Sequence, residues 1–104
     1  MVNLIKANPN EVELLLIGPC TNLATAITLE PELPALIKRV WLMGGTSEGK
    51  GNQTPAAEFN FHCDPEAAHM VFSAFEQDKS EVAKLVLFPW EQCLQNSVTW
   101  DFYD

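Results

Sequence analysis

The stretch VWLMGGTSEGKG (Val40–Gly51) joins an apolar run to a glycine-rich loop. Its first four residues have the length and apolar character of a buried strand. The remainder resembles a phosphate-binding loop, because its glycines and Lys50 have the spacing of that motif. The match fails at Gly51, where the motif requires Ser or Thr, and the following residues do not open a helix. We therefore interpret the glycine-rich part as a flexible connection after a strand, and Lys50 as a solvated charge.

Strand-like and helix-like segments alternate on both sides of this stretch. The order strand, helix, strand, helix, strand predicts right-handed crossovers and a parallel sheet. We expect an α/β fold, a partial open and mostly parallel sheet with helices on its faces, whose strands are buried on both faces. The expected strands are Val12–Ile17, Val40–Met43 and Lys84–Phe88, and the two main helices are capped by Thr21 and by Asp64, the second with Pro65 at its first position.

Composition limits the classes of protein and partner. The 104 residues suffice for one small domain, and 47% of them are apolar, so a packed core is expected. The formal net charge of −8 argues against nucleic acid and against an anionic membrane surface as partners. Three widely spaced cysteines predict neither a disulfide framework nor a zinc site, and they favour a reducing, cytoplasmic setting. No segment has the length of a membrane span.

Polar side chains cluster in the second half of the long middle loop, at Asn52, Thr54, Glu58 and Asn60. Amide and carboxylate groups that donate and accept several hydrogen bonds suit a polyhydroxylated ligand. The same residue types also stabilise loops by bonding to their own backbone. The residues alone leave both interpretations open.

Four stretches carry a resemblance to a known family. They are IGPCTNLATAITLEPEL (Ile17–Leu33), RVWLMGG (Arg39–Gly45), GNQTPAAEFNFHCDPEAAHMVF (Gly51–Phe72) and KLVLFPWE (Lys84–Glu91). In this order and spacing they resemble the inosine–uridine-preferring nucleoside hydrolases. The resemblance covers most of the chain, so residues 1–104 are expected to form the central part of a single domain of this type.

The resemblance implies calcium-dependent hydrolysis of the N-glycosidic bond of purine and pyrimidine ribonucleosides, such as inosine and uridine, to ribose and free base. In such a reaction the sugar gains oxocarbenium-like character, and a divalent cation activates and orients water. The implied roles are a main-chain calcium ligand at Thr21, hydrogen bonds to the ribose hydroxyls from Asn52, Glu58 and Asn60, and a sugar pocket lined by Met43 and Phe59.

The sequence departs from the family pattern where the chemistry would be performed. The family's aspartate cluster, D-T-D-x-G-x-D-D, supplies calcium carboxylates and the catalytic base, and a later His-Asp pair completes the site; neither is found in this sequence. We therefore assign no catalytic residue and expect this chain to be incomplete and inactive by itself. The alternative is a non-catalytic, truncated isoform that binds ribose or associates with other subunits, homo-oligomers included.

Overall fold

A computed structural model of the protein describes residues 1–76 and 82–102. Its three strands and its helices alternate as expected, which confirms the α/β class. The flanking residues Val12, Ile17 and Lys84 lie just outside the strands. In chain order the elements are α1 (Val2–Ala7), β1 (Glu13–Leu16), α2 (Thr21–Leu29), α3 (Leu33–Leu36), β2 (Arg39–Met43), α4 (Phe59–Cys63), α5 (Pro65–Glu76), β3 (Leu85–Phe88), α6 (Trp90–Gln95) and a 3-10 turn (Trp100–Phe102).

The sheet is parallel and has the order β1-β2-β3, with β2 in the centre. Leu15 of β1 is level with Trp41 of β2, which is level with Val86 of β3. All three strands therefore end at the same edge of the sheet. The loops that follow Leu16, Met43 and Phe88 start at this carboxyl edge, where ligands bind in open parallel sheets.

The core lies on one face of this sheet. Val40 and Leu42 of the central strand are fully buried in one cluster with apolar residues of α2 and α5, which pack against each other. The strand order advances in one direction, so right-handed crossovers place both helical connections on the same side. The buried apolar side chains that form this core are Ile5, Cys20, Leu23, Ala24, Ala26, Leu33, Ile37, Val40, Leu42, Ala67, Ala68, Val71 and Phe75.

The opposite face of the sheet is open, and the expectation of strands buried on both faces was wrong. Leu15 is 71% exposed, and Phe88 is exposed as well. Trp41 and Met43 lie between them and are partly buried. A sheet with helices on both faces needs a reversal of strand order, and these three strands have none. An apolar strand sequence thus indicates a parallel sheet without showing that both of its faces are covered.

The two main helices begin in different ways. Asp64 precedes α5, and its Oδ1 accepts a hydrogen bond from the Ala67 N–H at 3.0 Å, which confirms the predicted cap. The prediction that Thr21 caps α2 was wrong, because Thr21 is the first helical residue and Cys20 holds the cap position. The Thr21 hydroxyl instead donates to the carboxylate of Asp64. Within the residues described, no helix has the length and apolar character needed to cross a membrane.

Candidate functional site

The central strand ends in a contact with the start of α4. Asn60 is 6% exposed, and its Nδ2 group donates to the main-chain oxygen of Met43 at 3.0 Å. The same group lies 3.2 Å from the Met43 sulfur. The structure thus brings together two of the residues to which the family resemblance gives a role in sugar binding, at the carboxyl edge of the sheet.

Glu58 caps α4 from within the same cluster. Its side chain is 3% exposed, and its oxygens accept from three main-chain N–H groups: Asn60 at 2.9 Å, Gly45 at 2.8 Å and Phe61 at 3.3 Å. Two of these groups belong to the first turn of α4, where N–H groups have no partner within the helix. The third belongs to the loop that leaves β2. Glu58 therefore fastens the strand exit to the helix start, as the loop-stabilising interpretation expects.

Two adjacent glycines, Gly44 and Gly45, allow the Phe61 ring to pack directly against the backbone. A Cβ atom on Gly44 would lie 2.4 Å from the Phe61 ring, and one on Gly45 would lie 2.7 Å from the same ring. Gly45 also has a φ of +68°, a conformation that side chains with a Cβ rarely adopt. The glycine pair after the strand is therefore explained by packing of Phe61 against the backbone, with no phosphate required.

The loop between β2 and α4 closes on itself before it reaches Glu58. The main-chain oxygen of Ala57 accepts hydrogen bonds from the N–H groups of residues 52, 53 and 54, and the Thr54 hydroxyl accepts from those of residues 56 and 57. Asn52 then connects this ring to the helix, since its Oδ1 accepts from the Phe59 N–H at 2.8 Å. Asn52 and Phe59 are both exposed, in contrast to Glu58 and Asn60.

Lys50 lies before this ring and is exposed. Its ammonium group pairs with Glu48 at 2.7 Å, which raises the pKa of the lysine. The two residues are exposed and only two positions apart in the sequence, so their ion pair is a local surface contact. The position agrees with the expectation of a solvated loop charge.

The start of α2 approaches the cluster through Cys20. Burial raises the pKa of the Cys20 thiol, and the negative charges of Asp64 and Glu58 raise it further. Hydrogen bonds from the Thr21 hydroxyl and from the Ala67 N–H lower the pKa of Asp64. The GPCTN and DPEAA stretches are thereby joined by a direct contact between Thr21 and Asp64.

The described residues offer few ligands to a metal ion. The main-chain oxygen of Thr21 lies in the first turn of α2 and accepts from the Thr25 hydroxyl at 2.8 Å. His62 and His69 are exposed. Across residues 1–76 and 82–102, no three His, Cys, Asp or Glu side chains are grouped so that they could hold a metal ion.

Glu91 is a residue of this edge to which the sequence gave no role. It follows β3, is 7% exposed, and accepts hydrogen bonds from Ser47 and Glu48 of the glycine-rich loop. The sequence carried one sign that Glu91 matters: it comes shortly after a predicted strand, at the edge of the sheet where the other site residues were expected. The loop is thus anchored where the sequence indicated a flexible connection.

Comparison with known proteins identifies the family. The family model described as inosine-uridine preferring nucleoside hydrolase matches residues 1–104. The chain belongs to this family. Among curated nucleoside hydrolases, the pyrimidine-specific ribonucleoside hydrolase RihA of Salmonella arizonae is 47% identical over 74 residues, which are 71% of this chain and 24% of the relative. The probable uridine nucleosidase 1 of rice, Oryza sativa, is 43% identical over 74 residues, or 71% of this chain and 23% of the relative.

Solved structures of nucleoside hydrolases have the same fold. The purine-preferring ribonucleoside hydrolase from Gardnerella vaginalis superposes with a TM-score of 0.83 and 27% identity, over 96% of this chain and 29% of that protein. The inosine-uridine preferring nucleoside hydrolase from Bacillus anthracis superposes with a TM-score of 0.79 and 31% identity, over 96% of this chain and 32% of that protein. The chain thus spans about a quarter of the length of the curated relatives it matches.

Proposed function

We propose that this chain supplies the pentose-binding part of a ribonucleoside hydrolase, which splits the N-glycosidic bond of ribonucleosides to give ribose and free base. One observation carries the proposal: two buried polar residues lie at the carboxyl end of the central strand, where Asn60 bonds to Met43 and Glu58 bonds to Gly45. Their bonds within the protein satisfy only part of their hydrogen-bonding capacity, and they lie at the edge of the sheet where ligands bind, which supports a function there.

The unused hydrogen-bonding capacity of these residues suits a sugar. Among the contacts of the described residues, the Nδ2 group of Asn52 and the Oδ1 atom of Asn60 make no hydrogen bond, while Glu58 uses about three of its roughly four acceptor positions. A hydroxyl group both donates and accepts, so adjacent hydroxyls can bond to an amide N–H and to a carbonyl or carboxylate oxygen. The exposed Phe59 ring, next to Asn60, offers an apolar wall for the same ligand.

The named relatives support the assignment of these residues to the sugar. One is called pyrimidine-specific and another purine-preferring, although most of this chain matches each of them. Pentose is the moiety that pyrimidine and purine ribonucleosides share. A segment that is retained across both specificities is therefore expected to bind the sugar, with base selection made elsewhere.

The residues of this chain contribute binding and orientation to the proposed reaction. Hydrogen bonds to the ribose hydroxyls hold the ring, and a nearby carboxylate such as Glu58 favours the positive charge that develops on the sugar. Glu58 is an unsuitable general base here, because main-chain N–H groups already occupy most of its acceptor positions. We assign it to binding.

Calcium is the ion that the family resemblance implies, and the described residues fit it poorly. Calcium takes about six to eight oxygen ligands. Thr21 would offer one main-chain oxygen, which already accepts a hydroxyl hydrogen bond from Thr25. Calcium dependence is a separate proposal, tested by titration calorimetry of the chain with Ca²⁺ and with Mg²⁺ as control.

Pentose binding without catalysis is the second candidate function. The observation that favours it is the absence, in residues 1–76 and 82–102, of a cluster of acidic or metal-binding side chains at the site. For either candidate we propose a reducing, cytoplasmic setting. The proposal is supported by the three cysteines, Cys20, Cys63 and Cys93, which form no disulfide.

Equilibrium binding and ribose release together test the proposal. The chain is expected to bind ribose and uridine, and to bind 2-deoxyribose more weakly because one of the two adjacent hydroxyls is missing. Asn60→Ala should weaken ribose binding about tenfold, the effect of losing one hydrogen bond of about 1.4 kcal/mol. Gln53→Ala is the matched control, since Gln53 is an exposed amide in the same loop.

The outcomes separate the two candidates. Calcium-dependent release of ribose from inosine or uridine supports the hydrolase. Ribose binding with no release at high protein concentration supports the binding role. Equal affinity for ribose and 2-deoxyribose, or an Asn60→Ala variant that binds like the wild type, contradicts the pentose assignment.

A further inference from the structure

Glu91 is a buried carboxylate whose hydrogen-bond donors come from the glycine-rich loop. Its Oε2 accepts from the Ser47 N–H at 3.1 Å and from the Ser47 hydroxyl at 3.3 Å, and its Oε1 accepts from the Glu48 N–H at 3.0 Å. Burial raises the pKa of Glu91, but its hydrogen bonds from the N–H groups of Glu48, Ser47 and Glu91 itself and from the Ser47 hydroxyl together outweigh burial, so the pKa lies below its usual value. Hydrogen bonds to an ionised acceptor are about twice as strong as neutral ones. This carboxylate is therefore a strong anchor.

The same part of the loop is fastened by main-chain bonds just before Ser47. The Gly44 N–H donates to the Phe88 oxygen at 3.1 Å, and the Trp90 N–H donates to the Gly45 oxygen at 2.9 Å. Residues 44–48 are thus bound along their length to the end of β3 and the start of α6. The next two residues lack such anchors: Gly49 is exposed with a φ of +69°, and the side chain of Lys50 pairs only within the loop.

This attachment connects α6 to the proposed pentose site. Gly45 is held on one side by Trp90 and on the other by Glu58, to which its N–H donates. The loop then continues through Ser47 and Glu48 to Asn52. Without Glu91, Ser47 and Glu48 would lose their side-chain anchor, and Asn52 would be held beside Glu58 only by the Phe59 contact and by its own main-chain bond to Ala57.

We infer that Glu91 is a positioning residue: it holds Ser47 and Glu48 against α6 and thereby acts together with the bonds of Asn52 to Ala57 and Phe59 to fix the place of Asn52 relative to Glu58 and Asn60. Glu91 acts through the loop and need not touch the ligand. The inference rests on the proposed function, since it concerns the same pentose site.

Trypsin offers a direct readout of this anchor. Lys50 is the only Lys or Arg in residues 40–78, so cleavage in this loop gives one identifiable cut. Proteolysis of a native protein follows the population of the locally open form. Glu91→Gln keeps the side-chain shape but places an NH₂ group against a main-chain donor. We expect it to speed cleavage after Lys50 at least about tenfold, because charge-assisted bonds are lost.

Glu66→Gln is the matched control. Glu66 lies in the first turn of α5 as Glu91 lies in the first turn of α6, so both variants remove one negative charge near a helix start. Glu66 is exposed, and its variant should be cut like the wild type.

Ser47→Ala is a second test that leaves Glu91 in place. It removes the hydroxyl donor from an exposed residue and should give a smaller increase in cleavage than Glu91→Gln.

Ribose affinity and the unfolding midpoint, measured on the same variants, complete the test. Positioning predicts that Glu91→Gln weakens ribose binding at least about fivefold under conditions where circular dichroism shows it fully folded. Unchanged cleavage after Lys50 overturns the inference, and so does faster cleavage with unchanged ribose affinity. If Glu91→Gln does not fold, Ser47→Ala decides by the same two measurements. If the wild type itself binds no pentose, the proposed function is refuted, and cleavage alone then decides whether Glu91 holds the loop.

Discussion

Replacing Glu58 with glutamine should destabilise the protein even when no nucleoside is present. The carboxylate of Glu58 accepts from three main-chain N–H groups and is almost fully buried. Glutamine has one acceptor oxygen. If this oxygen keeps the bonds from Gly45 and Phe61, the NH₂ group faces the Asn60 N–H, and one buried donor loses its partner.

The magnitude follows from these contacts. A buried donor without a partner costs about 1–3 kcal/mol, and the two bonds that remain lose the strength that ionisation gave them. We expect Glu58→Gln to lower the free energy of unfolding by about 2 kcal/mol and Glu58→Ala by about 4 kcal/mol. A domain of this size has a total stability of about 5–15 kcal/mol. The expected fall in melting temperature for Glu58→Gln is therefore about 10 °C.

Thermal and urea unfolding, followed by circular dichroism without ligand, measure the effect. Glu11→Gln, which neutralises an exposed carboxylate, is the control and should melt like the wild type. A role confined to the ligand predicts the opposite sign for Glu58, because neutralising a buried charge that served only substrate would stabilise the fold. A Glu58→Gln variant that melts within about 2 °C of the wild type, or above it, would refute the reasoning.

Three further predictions concern the loop, the sheet and the stability of the protein at acidic pH. Gly51→Ala should open the loop and speed cleavage after the preceding lysine, since a Cβ atom there would lie 2.2 Å from the main-chain oxygen of Ala57 and overpacking costs about 1–3 kcal/mol. Leu42→Ala should cost about 2–5 kcal/mol in urea unfolding, against less than about 0.5 kcal/mol for Leu15→Ala on the open face. The pKa of Asp64 is lower in the folded state than its unfolded value near 3.8. The ionised carboxylate therefore stabilises the fold above the unfolded pKa, and this stabilisation is lost as the pH falls through the lower folded value. Thr21→Val, which removes the largest cause of that shift, should flatten this acid-side loss of unfolding free energy, and an unchanged pH profile would contradict the assignment.

Local patterns predicted the order of elements well because each reports a short-range preference. Pro65 after Asp64 marks a helix start in almost any context, and α5 begins there. The exposure of Leu15 could not be predicted in this way, since coverage of a sheet face depends on the direction in which the strands are added. The hydroxyl of Thr21 was assigned to its own helix for a similar reason, because Asp64, the partner it bonds, is 43 residues away in sequence.

The candidate site shows why both interpretations of its polar residues were reasonable from the sequence. Asn52, Glu58 and Asn60 bond to main-chain groups, as a loop-stabilising role expects, and each does so with only part of its hydrogen-bonding capacity. The bonded part fixes the direction of the side chain, and the unbonded part is then held ready for a ligand. Preorganisation of this kind lowers the entropy that binding would otherwise cost. Stabilising the loop and binding a sugar are therefore compatible roles for the same three side chains, and the Glu58 variants measure the first role independently of the second.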